Sequence, residues 1–164
     1  MFFRKEKEPK RNRPSNIAMM DKKVKESYME DEIRKIRKKD LEDVLDNEEE
    51  ISHKLNKAKP LRKFAEISKV MFQMLWDIQS GKYKRTPWFS IAAIVFIFLY
   101  VLNPFDLIPD FVPGLGYLDD FTIFAMGLGW IETDLHHYLD WKIRQAELKE
   151  LEELIEEEED DYYF

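Results

Sequence analysis

Cysteine is absent from all 164 residues. This excludes a disulfide framework and any thiolate metal centre, and leaves the compartment open. Glycine is scarce, at 5 residues, and no run of it forms a phosphate-cradling loop. A serine nucleophile elbow and the His-Glu-x-x-His pattern of zinc peptidases are missing too. The opening MFFRKEKEPKRNRP is too polar for a secretory leader, so any insertion signal is expected to be internal. The most informative gap is in charge: no Asp, Glu, Lys or Arg occurs between Arg85 and Asp106. The flanks compensate with opposite signs. Up to residue 86 there are 23 Lys+Arg against 16 Asp+Glu, and beyond it 3 against 17, in keeping with the overall −7. A basic front and an acidic back around an apolar middle is a topological pattern of membrane-associated chains.

What is present reads as helix throughout, so the expected class is all-α. Residues 1–16 form a basic arm with Pro9 and Pro14, expected to be disordered because it has too little apolar surface to offset chain entropy. Residues 17–59 read as a charged helical region with sparse apolar points and a break near Asp46 and Asn47. A membrane-associated domain is assigned to 60–141. It begins with an amphipathic helix over 61–79, on which Leu61, Phe64, Ile67, Met71, Leu75 and Ile78 recur at steps of three and four. Gly81 ends that helix and GKYKRTP makes a basic turn. A hydrophobic hairpin follows over 87–138, and an acidic helical tail over 142–164.

The first arm of the hairpin, PWFSIAAIVFIFLYVL, starts at Pro87 and stops before Pro104. At 1.5 Å per residue it is about 24 Å long, short for a bilayer core of roughly 30 Å. It is apolar on all faces, which points to a transmembrane helix or one arm of a re-entrant hairpin. The second arm, FTIFAMGLGWI, carries Ala125 and Gly129 at small-xxx-small spacing, with Gly127 between them. That pair is the candidate for helix packing, against Ala92 and Ala93 or in self-association. Trp88 opens the first arm and Trp130 closes the second, which places both tryptophans at one end of the hairpin.

Between the arms lies YVLNPFDLIPDFVPGLGYLDD. It resembles the signature of the YkvA-like family, catalogued as domain of unknown function 1232. Pro104, Asp106, Leu107, Ile108, Pro109, Asp110, Pro113, Gly116, Tyr117, Leu118, Asp119 and Asp120 match that signature in order. The resemblance covers about residues 87–131. It implies membrane association and no reaction, because the family has no assigned activity.

Asp106, Asp110, Asp119 and Asp120 admit two roles. They can cap turns and the second helix, or supply oxygens to a cation or a proton path. Glu132, His136, His137 and Asp140 stand at one-turn spacings that suit either a transition metal or a solvated helix face. In both groups the structural role is favoured, and no cofactor or catalytic residue is assigned. The expected partners are membrane lipid, with anionic headgroups at the basic segments, and a second copy of the chain. Neither nucleic acid nor a small-molecule substrate is indicated. The expectation is a non-enzymatic structural or scaffold component of the cell membrane, with both termini cytoplasmic by the positive-inside tendency. The alternatives are an ion-binding or ion-coupled membrane function of the Asp-rich loop and a soluble helical interaction module.

Overall fold

A helix that is apolar around its whole circumference needs apolar neighbours on every side, and here it finds them in protein. The computed structural model describes residues 16–59, 61–103 and 120–162. These form α1 (Asn16–Arg34), α2 (Lys38–Asp46), α3 (Glu48–Lys57), a 3-10 turn at Arg62–Phe64, α4 (Ala65–Gln79), α5 (Trp88–Leu102) and α6 (Asp120–Tyr162). The described residues contain no strand, so the chain is all-helical.

α5 is the axis of the molecule. Its residues from Ser90 to Phe98 are buried without interruption, and Tyr100 and Val101 are buried after them. α1, α2, α3 and α6 all pack against it. α4 reaches it through Phe72, whose ring stacks on Phe98 at 4.1 Å. The covering helices supply the rest of the core, including Met29, Ile33, Val44, Ile51, Leu55, Met71 and Leu75. The sparse apolar points of the charged front are therefore the inner faces of helices wrapped around α5.

Local signals explain the breaks. The front is three helices, with the expected break at Asn47 and a further one before α2. At Arg37 the backbone N–H donates to the Asp40 carboxylate at 2.7 Å, which starts α2. The second break falls at Asn47, between α2 and α3. Lys54 donates to the Leu102 carbonyl at 2.8 Å, placing a cation on the C-terminal end of α5. The stretch read as one amphipathic helix over 61–79 is the 3-10 turn followed by α4. The tail is not a separate element: α6 runs for 43 residues without a break, about 65 Å at 1.5 Å per residue.

The expected transmembrane helix is corrected. Among the described residues no helix is long and apolar enough to cross a membrane. α5 has 15 helical residues, about 22 Å, because Pro87 and Asn103 bound it. Its apolar surface is covered by α1, α2, α3, α4 and α6. Within that bundle α5 packs on α6, and because Ser90 meets Asp134 while Ile97 meets Gly127 the two run antiparallel.

Candidate basic and aromatic site

The turn after α4 builds a surface feature that its sequence only hints at. Gly81 has φ +78°, a left-handed conformation that side chains disfavour. With it, the Gly81 N–H reaches the Ile78 carbonyl at 3.1 Å and the Tyr83 N–H reaches the Asp77 carbonyl at 3.0 Å. The chain is thereby folded back so that Tyr83 is buried at 2% exposure. Its ring meets Tyr138 at 5.2 Å and Trp141 at 5.0 Å, both on α6. Lys82, Lys84 and Arg85 stay exposed on either side of it.

Beneath this turn α4 is bolted to α6. The Tyr138 hydroxyl donates to Asp77 Oδ2 at 2.6 Å, and the Lys142 ammonium donates to the same oxygen at 3.0 Å. Tyr138 is fully buried and Asp77 nearly so. Burial pushes the Asp77 carboxyl up, but the hydrogen bonds from Tyr138 and Lys142, with the Lys142 and Lys82 charges, outweigh it and hold the pKa below its ordinary value. Burial, and then the Asp77 carboxylate beside it, push the Tyr138 phenol well above the ordinary tyrosine range. Ser90, at the start of α5, donates to Asp134 of α6.

The result is a groove of about 440 Å³ lined by Gly81, Lys82, Tyr83, Lys84, Arg85, Trp141, Arg144 and Gln145. Among the described residues, none of Lys82, Lys84, Arg85 and Arg144 forms a salt bridge. Alongside, Trp88 and Phe89 are exposed at 43% and 38%. Phe89 meets Trp130 of α6 at 6.1 Å. The expected gathering of Trp88 and Trp130 at one end is thus visible, bridged by Phe89. The surface offers cations without salt bridges, followed in the chain by large half-exposed aromatics, and the Asp77–Tyr138–Lys142 network holds its frame.

The other candidate residues are distributed as follows. Pro104, Asp106, Leu107, Ile108, Pro109, Asp110, Pro113, Gly116, Tyr117, Leu118 and Asp119 lie outside the described residues. Asp120 opens α6. Ala125 and Gly129 are exposed. They line a second groove of about 430 Å³ with Ile67, Leu128, Glu132 and His136. The residue between them, Gly127, makes the close approach: a Cβ there would stand 2.3 Å from Ile97 Cδ1. Glu132 and His136 are 3.9 Å apart and exposed. Among the described residues no three or more potential metal ligands converge. Sequence reasoning noticed the basic turn but missed Arg144 and Trp141. Their pairing with it depends on the Gly81 turn, and only Gly81 itself signalled that turn.

The family described as a protein of unknown function, DUF1232, matches residues 90–126. The chain is also similar to the protein named "Uncharacterized membrane protein YkvA" of Bacillus subtilis (strain 168). The two are 33% identical over 90 residues, which are 54% of this chain and 83% of that relative. No solved structure matches the chain.

Proposed function

The chain belongs to the YkvA-like family, domain of unknown function 1232, and from that membership we propose a non-enzymatic, membrane-associated structural component that docks on an anionic bilayer surface. The observation that carries this reading is the half-exposed pair Trp88 and Phe89, which follows the exposed Lys84 and Arg85 within five residues of chain. Indole and phenyl rings favour the headgroup boundary, while basic side chains are drawn to anionic leaflets by about 1 kcal/mol each. The membrane wording attached to the Bacillus relative points the same way. Docking through a surface also reconciles that wording with an α5 wrapped in protein. The cytoplasmic leaflet, the usual anionic one, would keep both termini cytoplasmic. A homo-oligomer meeting across the Ala125 and Gly129 groove is compatible with this arrangement, since a side chain at Gly129 would meet nothing within 4 Å.

A vesicle experiment tests the reading. The purified chain should sediment with phosphatidylcholine vesicles containing phosphatidylglycerol and stay in the supernatant with phosphatidylcholine alone. Trp88→Ala with Phe89→Ala should cut the bound fraction several-fold without changing the circular dichroism. Equal partition onto both vesicle types, or none onto either, sinks the docking proposal. A second reading, a helical interaction module without lipid contact, is favoured by the complete burial of Ser90–Phe98. It is separated from the first by the same sedimentation.

A further inference from the structure

The groove beside the aromatic pair has a shape and charge that general attraction to a bilayer does not require. We propose that it is a discrete site for one phosphate-bearing group, held by Lys82, Lys84, Arg85 and Arg144 against the Trp141 wall. This deepens the docking proposal and rests on it only for the lipid source of the phosphate.

Three observations support a built site rather than a diffuse patch. The cations come from two elements far apart in sequence, the turn after α4 and the middle of α6, and they converge on one concavity. Two carboxylates of the packed elements are engaged elsewhere: Asp77 holds Tyr138 and Lys142, and Asp134 holds Ser90. Among the described residues no salt bridge engages Lys82, Lys84, Arg85 or Arg144, so the four lining cations can face a ligand. The frame is also rigid, because Tyr83, Tyr138 and Trp141 pack on one another at 5.0–5.8 Å beneath the groove. An arginine fork binds two phosphate oxygens at once, and lysines complete the neutralisation. At about 440 Å³ the space admits a phosphate with the glycerol or sugar that bears it, and the indole of Trp141 offers that substituent an apolar face. The groove flanks residues 90–126, the family-matched segment, without belonging to it.

The same chemistry could come from a lipid headgroup or from a free phosphate, and the test has an arm for each. Inorganic pyrophosphate is titrated into the full-length chain and followed by tryptophan fluorescence. Vesicles of phosphatidylcholine with phosphatidic acid are titrated in parallel. Saturable one-to-one binding of pyrophosphate is expected. It should weaken at least about tenfold in Arg144→Gln and in Lys84→Gln with Arg85→Gln, since each lost charge-assisted hydrogen bond is worth about that factor or more. Lys22→Gln with Lys23→Gln, on the exposed start of α1, removes as much charge and should leave binding unchanged. If the groove variants also lower phosphatidic acid binding, the source is a headgroup. If they leave vesicles untouched while pyrophosphate binding falls, the source is a free phosphate. Two results overturn the site: no saturable pyrophosphate binding, or an equal loss in the Lys22/Lys23 control. Pyrophosphate binding unchanged in the groove variants, with vesicle binding lost only with Trp88→Ala and Phe89→Ala, removes the site and leaves surface docking intact.

Discussion

Gly127 and Gly129 are two positions apart on α6 and should respond to the same substitution in opposite ways. A Cβ at Gly127 would meet Ile97 Cδ1 at 2.3 Å and Cγ1 at 2.8 Å, and Ile97 is itself 1% exposed. Overpacking a filled core costs about 1–3 kcal/mol, against which helix propensity returns roughly 1 kcal/mol. Gly127→Ala should therefore lower stability, by up to about 2 kcal/mol from these two figures. Ile97→Val removes Cδ1, so the double variant should recover part of the loss, a coupling that a double-mutant cycle in urea measures. Gly129→Ala meets nothing within 4 Å and should gain about 0.5–1 kcal/mol. The sequence displayed the small-xxx-small spacing of Ala125 and Gly129 but not its rotation about the helix axis. A helix turns about 100° per residue, so the face presented to α5 is fixed by the bundle and not by the spacing alone.

Between elements, the join of α4 to α6 gives the fold a dependence on pH at both extremes. The folded state holds Asp77 below its ordinary value, so its contribution is complete at neutral pH. It is lost as the pH falls from the ordinary value of 3.8 through the folded pKa. The folded state raises Tyr138, so its contribution is complete below pH 10 and is lost as the pH climbs past that value. Urea unfolding across pH should show both limbs. Asp77→Asn should flatten the acid limb and cost about 1–3 kcal/mol at pH 7, because it strips the charge that Lys142 and Tyr138 share. Tyr138→Phe should flatten the alkaline limb. An acid limb unchanged in Asp77→Asn would mean that other carboxylates dominate. The elements themselves were largely legible, because Pro87, Gly81 and the three- and four-residue periodicity of α4 are strong local signals. What the apolar run of α5 faces was not legible. Periodicity vanishes in a helix surrounded on all sides, whether the surroundings are lipid or Phe72, Ile51 and Val44. The site was legible in halves, a basic turn here and Trp141 with Arg144 there, and only the tertiary fold joins them.

On the scale of the whole molecule, the separation of charge sets an orientation. The groove gathers Lys82, Lys84, Arg85 and Arg144, and α6 then runs directly from Gln145 into the acidic tail. Through Glu158 the tail is exposed, with Leu148, Leu151, Leu154 and Ile155 each more than half exposed on a surface rich in glutamate. It adds nothing to the core around α5, so removing residues 146–164 should change stability by less than about 0.5 kcal/mol. Its effect on lipid is another matter. Glu147 and Glu150 sit within two turns of Arg144, inside or near the Debye length of about 8 Å at 0.15 M salt, and they repel the leaflet that the groove attracts. The chain lacking 146–164 should therefore bind phosphatidylglycerol vesicles several-fold more tightly than the full chain. The gain should widen as salt is lowered to about 0.01 M, where screening extends to roughly 30 Å and the distal glutamates are felt as well. A gain that does not depend on salt would assign the effect to the exposed leucines rather than to charge. Weaker binding on truncation would mean that the tail itself grips the membrane, with Leu148, Leu151 and Ile155 as its apolar edge. That result would move the docking surface from the turn after α4 to the far end of α6.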